Sequence, residues 1–253
     1  MSISLSSITR TVRNSLPPRV VVHGPHGIGK TTLGASAFNP IFLPIEDGLQ
    51  GLEVDAFPQI KTYAELIEAL DVLIAGGHEF GTAVLDSADW MERLTQAEAC
   101  RKNGWADIEA PGYGKGYIEA TAVMKAVLDK LDRLRDAGMA VVLLAHSEVK
   151  TFNAPDTEPY DRYQIKLNKG AAALLQEWAD IIGFANFETV VTKDKTGFSK
   201  DGRARGIGTG RRILHLTERP SHVAKNRYGM PDTVPLSWPA LVGAMTPPAA
   251  QAA

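Results

Sequence analysis

Gly24-Pro25-His26-Gly27-Ile28-Gly29-Lys30-Thr31 is the stretch in this sequence whose residue types and spacing most directly suggest chemistry. It follows the apolar run Arg19-Val20-Val21-Val22-His23 and precedes Thr32-Leu33-Gly34-Ala35-Ser36-Ala37-Phe38. Strand, glycine-rich loop and helix are the context in which G-x-x-x-x-G-K-[ST] cradles phosphate. Glycines let the backbone wrap an anion, and successive N–H groups then point inward as a nest. The start of the following helix adds a positive dipole end. Residues Gly24 to Thr32 would line a nucleoside triphosphate such as ATP. Within that lining, Lys30 would reach the β- and γ-phosphates, and the Thr31 hydroxyl would ligate Mg2+. A glycine-rich turn that binds nothing is the plain alternative.

A phosphate cradle needs a carboxylate to orient its metal. Thr82-Ala83-Val84-Leu85 delivers Asp86 at a strand's carboxyl end, where ligands sit in open α/β sheets. Asp86 would hold Mg2+ through water, or it would cap a helix beginning at Ala88; Asp89 is its rival. Hydrolysis also needs a group that orients or deprotonates water. Glu46, after Ile41-Phe42-Leu43-Pro44-Ile45, would face the γ-phosphate, with Asp47 and Glu53 as neighbouring rivals. His146, after the apolar run 139–145, stands where a polar side chain would sense the γ-phosphate and move the loop behind it.

The elements that must position these groups alternate. Apolar strands are expected at 19–23, 41–45, 81–85, 139–145 and 180–187, and helices at about 30–38, 62–75, 88–102, 117–137 and 171–178. Thr62 with Glu65 predicts a capping box. Strands apolar on both faces and separated by helices predict a mostly parallel sheet flanked by helices, an α/β fold. Residues 150–169, with Pro155 and Pro159, read as a long surface loop or lid. Residues 189–193 and 211–217 read as the arms of a C-terminal antiparallel β-hairpin extension. The division expected is a flexible leader over 1–18, one ATPase domain over 19–243 and a Pro/Ala-rich disordered tail over 244–253.

Composition agrees with one soluble domain: 253 residues, 44% hydrophobic and 22% charged, with a formal net charge of -2. That charge argues against a uniformly basic coat but not against a local basic patch. Cys100 is the only cysteine, which excludes an intramolecular disulfide and suits a reducing, cytoplasmic location. No apolar run approaches the roughly 18 residues that span a bilayer, and no secretory signal is visible, so no membrane partner is expected.

Gly24 to Thr31, Glu46, Asp86-Ser87 and His146 together resemble the RecA-type ATPase core. The resemblance implies a RecA-like P-loop NTPase fold, Glu46 as the water-activating base and His146 as the link from γ-phosphate to DNA-binding loops. That family often carries glutamine at the position of His146. Lys225-Asn226-Arg227, within 223–229, resembles the Lys-x-Arg hairpin of RecA-like hexameric helicases. Carried over, Lys225 and Arg227 would complete a neighbour's active site in a ring or filament; the alternative is a basic surface turn. More closely, residues from Arg19 to about Leu236 are similar to bacteriophage-encoded AAA/RecA-like nucleotide-binding proteins, through 112–116, Leu144-Ala145-His146 and 177–180. Several of these are regarded as single-strand annealing or recombinase-like proteins, which implies work beside other phage recombination or replication proteins.

Basic residues crowd 193–227, and Lys150, Phe152, Tyr160, Arg162 and Tyr163 add aromatics and cations after His146. Cations interleaved with aromatics suit single-stranded DNA; a solvated hairpin and an ordered crossover are the bland reading. Trp90, Trp105 and Trp178 read as core rather than DNA platforms. The leading expectation is an oligomeric, Mg-dependent ATPase acting on single-stranded DNA. The alternatives are a nucleotide or small-molecule kinase, for which Arg162 is the one lid arginine, and a nucleotide-gated assembly protein with little turnover.

Overall fold

In the computed structural model the backbone is described for residues 16–194 and 203–245, and side chains for those of them outside 190–207. Nearly all of the expected leader and tail, and the segment between Asp194 and Arg203, therefore lie outside the described residues.

One 10-stranded sheet organises the chain. Its parallel part is β7 (Ile181–Asp194), β1 (Arg19–Gly24), β5 (Ala140–Phe152), β4 (Thr82–Asp86), β2 (Pro40–Pro44) and the short β3 (Asp55–Ala56), in that spatial order. The strand carrying Asp86 is thus separated from the phosphate-loop strand by β5. Beyond β7 the sheet turns antiparallel through β8 (Arg203–His215) and β10 (Thr233–Pro235). The two-residue β9 (Lys225–Asn226) pairs with the start of β7.

Side chains alternate across each strand, and both faces are covered. Val21, Leu43, Leu85, Val141 and Leu143 pack against α2 (Tyr63–Ala75), α4 (Lys115–Asp136) and α5 (Lys169–Trp178), with α3 (Ala88–Asn103) beside them. Val20, Val22, Phe42, Val84, Val142 and Leu144 pack on the other face against α1 (Lys30–Ala35) and α6 (Trp238–Met245). Residues buried on both faces explain why these strands lack an alternating pattern. The Thr62–Glu65 capping box forms at the start of α2. Among the described residues no helix is long and apolar enough to cross a membrane.

Three expectations change. Residues 150–169 are not a continuous loop: β5 runs on to Phe152 and pairs antiparallel with β6 (Tyr160–Ile165). The apolar run ends at Ala145 because the strand leaves the covered sheet there; beyond it, pairing with β6 continues the strand. Pro155 and Pro159 fall in the connection between the two. The stretches 180–187 and 189–193 are one strand, β7, with an irregularity between Phe187 and Thr189. Residues 244 and 245 belong to α6 rather than to a tail.

His23, the residue before Gly24, is fully buried between the sheet and the segment around Val223. The Val223 carbonyl can only accept, so Nε2 carries the proton, and Nδ1 accepts from the Ser147 hydroxyl at 2.8 Å. Burial pushes the His23 pKa down to about 4, against the hydrogen bond to Val223. Between about pH 6.5 and 4 the unfolded chain binds a proton that the folded chain refuses. His23 therefore subtracts stability as pH falls through that window, by about 1.4 kcal/mol per unit. His222 is pushed down to about 4 by burial as well. Urea unfolding at pH 7 and pH 5 should show a lower midpoint at pH 5, with a smaller difference in His23→Asn. An identical difference in the variant would refute the assignment.

Candidate active site

The parallel register brings the carboxyl ends of the central strands level. Gly24 pairs with His146, Asp86 with Leu144, and Pro44 with Asp86. The Asp86 carbonyl accepts from both Ile45 N (2.8 Å) and Glu46 N (3.0 Å), which ties the end of β2 to the end of β4. Four segments far apart in sequence thus meet along one sheet edge.

At the loop, Gly27 and Gly29 adopt φ of 72° and 104°, a backbone conformation that side-chain-bearing residues rarely adopt. Lys30 is buried, and its Nζ donates to the loop's own Gly24 and Pro25 carbonyls at 3.1 and 3.0 Å. An ammonium has three donors, and among the described residues Lys30 forms no ion pair, so this buried cation keeps a donor and an uncompensated charge. Burial lowers its pKa, while Asp86, Asp89 and Glu46 act in the opposite direction. A phosphate oxygen would satisfy both the donor and the charge.

Thr31 Oγ1 donates to Asp86 Oδ2 at 2.9 Å. Burial raises the Asp86 pKa, the Thr31 hydrogen bond opposes this, and the nearby Glu46 charge adds to the rise. A hydroxyl beside a desolvated carboxylate is a hard-oxygen donor pair suited to Mg2+, whose charge would relieve the cost of burying Asp86. The helix-cap alternative for Asp86 does not occur: Ser87 is the N-cap of α3, and no side chain caps it.

Glu46 stands at the same edge, partly exposed, with Oε2 accepting from the Ser87 hydroxyl at 3.0 Å. Its rival Asp47 is exposed and makes no side-chain hydrogen bond or ion pair among the described residues. Asp89, in the first turn of α3, accepts from the His146 backbone N–H (3.1 Å) and from His146 Nδ1 (3.0 Å). Burial opposes ionisation of Asp89, but the His146 hydrogen bonds and charge prevail and hold its pKa at about 2. With Nδ1–H given to Asp89, His146 makes no hydrogen bond through Nε2 among the described residues, and its ring stacks on His26 of the phosphate loop at 4.0 Å. Glu46, Asp89 and His146 bring one ligand atom each within 4.8 Å of one another. These contacts link strand ends, loop and helix start in one polar cluster.

Sequence reasoning set Asp89 down only as a rival of Asp86 and missed the Ser87–Glu46 and His26–His146 contacts. Asp89 follows Asp86 by three residues at a helix start, a spacing that puts both on the same edge. The ring stacking left no signal short of knowing that β1 and β5 are neighbours.

Lys225 and Arg227 do not join this cluster within the chain. They sit beside the start of β7, at the opposite end of the sheet. Lys225 Nζ donates to the carbonyls of Gln176 (2.6 Å), Glu177 (3.2 Å) and Ala179 (2.7 Å), closing the end of α5. Arg227 pairs with Asp180 at 3.1 Å, which also holds Arg19 and Arg135. Arg162, expected to be accessible, is buried against Glu218 and the His222 carbonyl. Trp178 is half-buried and donates to Asp132, as a core residue would, whereas Trp90 is 37% exposed with Arg93 over its ring.

The AAA-domain family model matches residues 16–228 of the chain. No curated protein matches it.

Truncating Asp89 should strand the buried His146 N–H. Asp89→Ala is expected to cost about 1–3 kcal/mol in urea unfolding, and Asp89→Asn, which keeps an acceptor, less. Equal stability of Asp89→Ala and the parent would contradict the pairing.

Proposed function

The chain belongs to the AAA-domain family of nucleotide-binding ATPases, and on that premise we propose that it is a Mg-dependent, RecA-like ATPase that acts on single-stranded DNA. The observation that carries the ATPase reading is the convergence of Lys30, Thr31–Asp86, Glu46–Ser87 and Asp89–His146 on one sheet edge. Placement of β5 between the loop strand and the Asp86 strand is consistent with the RecA-type core. Bound Mg2+ would supply charge neutralisation on the triphosphate, held by Thr31 and Asp86. Lys30 would exchange loop carbonyls for phosphate oxygens. Glu46, which accepts from Ser87 and is partly exposed, would take a proton from water. His146, its ring fixed by Asp89, touches the phosphate loop through His26 and continues directly into the β5–β6 hairpin.

The β5–β6 hairpin loses Arg162 to Glu218, and Lys150 pairs with Glu148 at 2.7 Å. What favours DNA is the run of cations in the sequence of β7 and β8. The kinase alternative loses the one lid arginine it had. A role for Lys225 and Arg227 on a neighbour's nucleotide would require exchanging the bonds that close α5, and recombination or annealing beside phage partners remains part of the proposal rather than of the family assignment.

Glu46→Gln should reduce ATP hydrolysis by about 10²-fold or more while leaving ATP binding intact, as followed by phosphate release and by equilibrium binding. Unchanged turnover would favour an assembly protein. Adding single-stranded DNA should accelerate hydrolysis, and DNA binding should weaken steeply with salt. No acceleration together with salt-insensitive or absent binding would remove DNA from the account.

A further inference from the structure

We propose that Arg212 is a second cation of the nucleotide site, supplied by β8 of the same chain to the α/β end of the triphosphate. The inference rests on the nucleotide reading above and names a residue that reading does not use. Leu214 and Leu216 are buried on the α1 side of the sheet, and the two-residue period puts Arg212 on that same side, one step beyond the covered core. There the side chain lies across the phosphate loop: a methyl placed on Gly29 would meet Arg212 Nη1 at 2.9 Å and its Cδ and Cζ at 3.8 Å. The left-handed Gly29, with no side chain, is what leaves room for the guanidinium.

Arg212 is exposed and, among the described residues, makes no side-chain hydrogen bond or ion pair. Arg219, by contrast, is paired with Asp232. The Arg212 backbone is held on both sides, by Phe187 in β7 and by Leu236 N donating to its carbonyl. A fixed strand therefore presents a guanidinium, unpaired within the described chain, at the loop. Loop backbone N–H groups cradle the α- and β-phosphates, while Lys30 reaches toward β and γ. A guanidinium beside Gly29 faces the former pair and can bind two phosphate oxygens at once.

The test measures ATP, ADP and adenosine affinity for the full chain, Arg212→Ala and Arg212→Lys, with Mg2+ present and with thermal unfolding as the folding control. Arg212→Ala should weaken ATP and ADP alike by about 10- to 100-fold and leave adenosine unchanged. Arg212→Lys should restore part of the loss, because charge returns without the planar fork. Wild-type affinities in Arg212→Ala, or a loss confined to ATP or to single-stranded DNA, would overturn the proposal while leaving the nucleotide reading standing. Failure of the parent chain to bind ATP or ADP would overturn both, and shows before any variant is made.

Discussion

A buried ammonium without a carboxylate partner among the described residues is the constraint on which the rest of this site depends. Lys30 is taken out of water at the start of α1, and among the described residues its hydrogen bonds go only to two backbone carbonyls. Isolated buried charge is costly, and proteins ordinarily neutralise it with a paired side chain. Here the opposing charges of Asp86, Asp89 and Glu46 act from across the edge without ion-pairing to it. The strand ends thus separate a cationic loop from a rim of carboxylates. An anionic ligand bridged to that rim by a divalent cation would complete the electrostatics of both halves.

That separation depends on sheet register. The pairing of Gly24 with His146 and of Pro44 with Asp86 makes the loop, His146, Asp86 and the segment leading to Glu46 level with one another. Helices packed on both faces keep the register from slipping, because every central strand is apolar on both sides and a slip would disturb two cores at once. At the other end of the sheet, Asp180 gathers Arg19, Arg135 and Arg227, which anchors the strand starts and leaves the carboxyl ends for ligands. The two ends therefore differ in kind: one closes its charges among themselves, and the other leaves them open.

Much of this was legible in the residues. The phosphate loop, Asp86 and Glu46 lie within short motifs bounded by buried strands, where local pattern and tertiary position coincide. The Thr62–Glu65 cap was legible for the same reason. Asp89–His146, Ser87–Glu46 and Arg212–Gly29 were not, because each joins segments whose proximity comes from strand order rather than from spacing. The β5–β6 hairpin was hidden by its own partial exposure and by Pro155 and Pro159, which suggested a loop. Lys225 and Arg227 are the converse case: a motif-like pair whose side chains, in the single chain, bond to the end of α5 and to Asp180.

The most direct test of the central claim is a crystal structure of the chain with Mg2+ and a non-hydrolysable ATP analogue. The account predicts the triphosphate in the loop 24–31, Lys30 Nζ moved from the Gly24 and Pro25 carbonyls onto phosphate oxygens, and the metal facing Thr31 and Asp86. A nucleotide bound elsewhere, or Lys30 still on its two carbonyls beside a bound triphosphate, would contradict it.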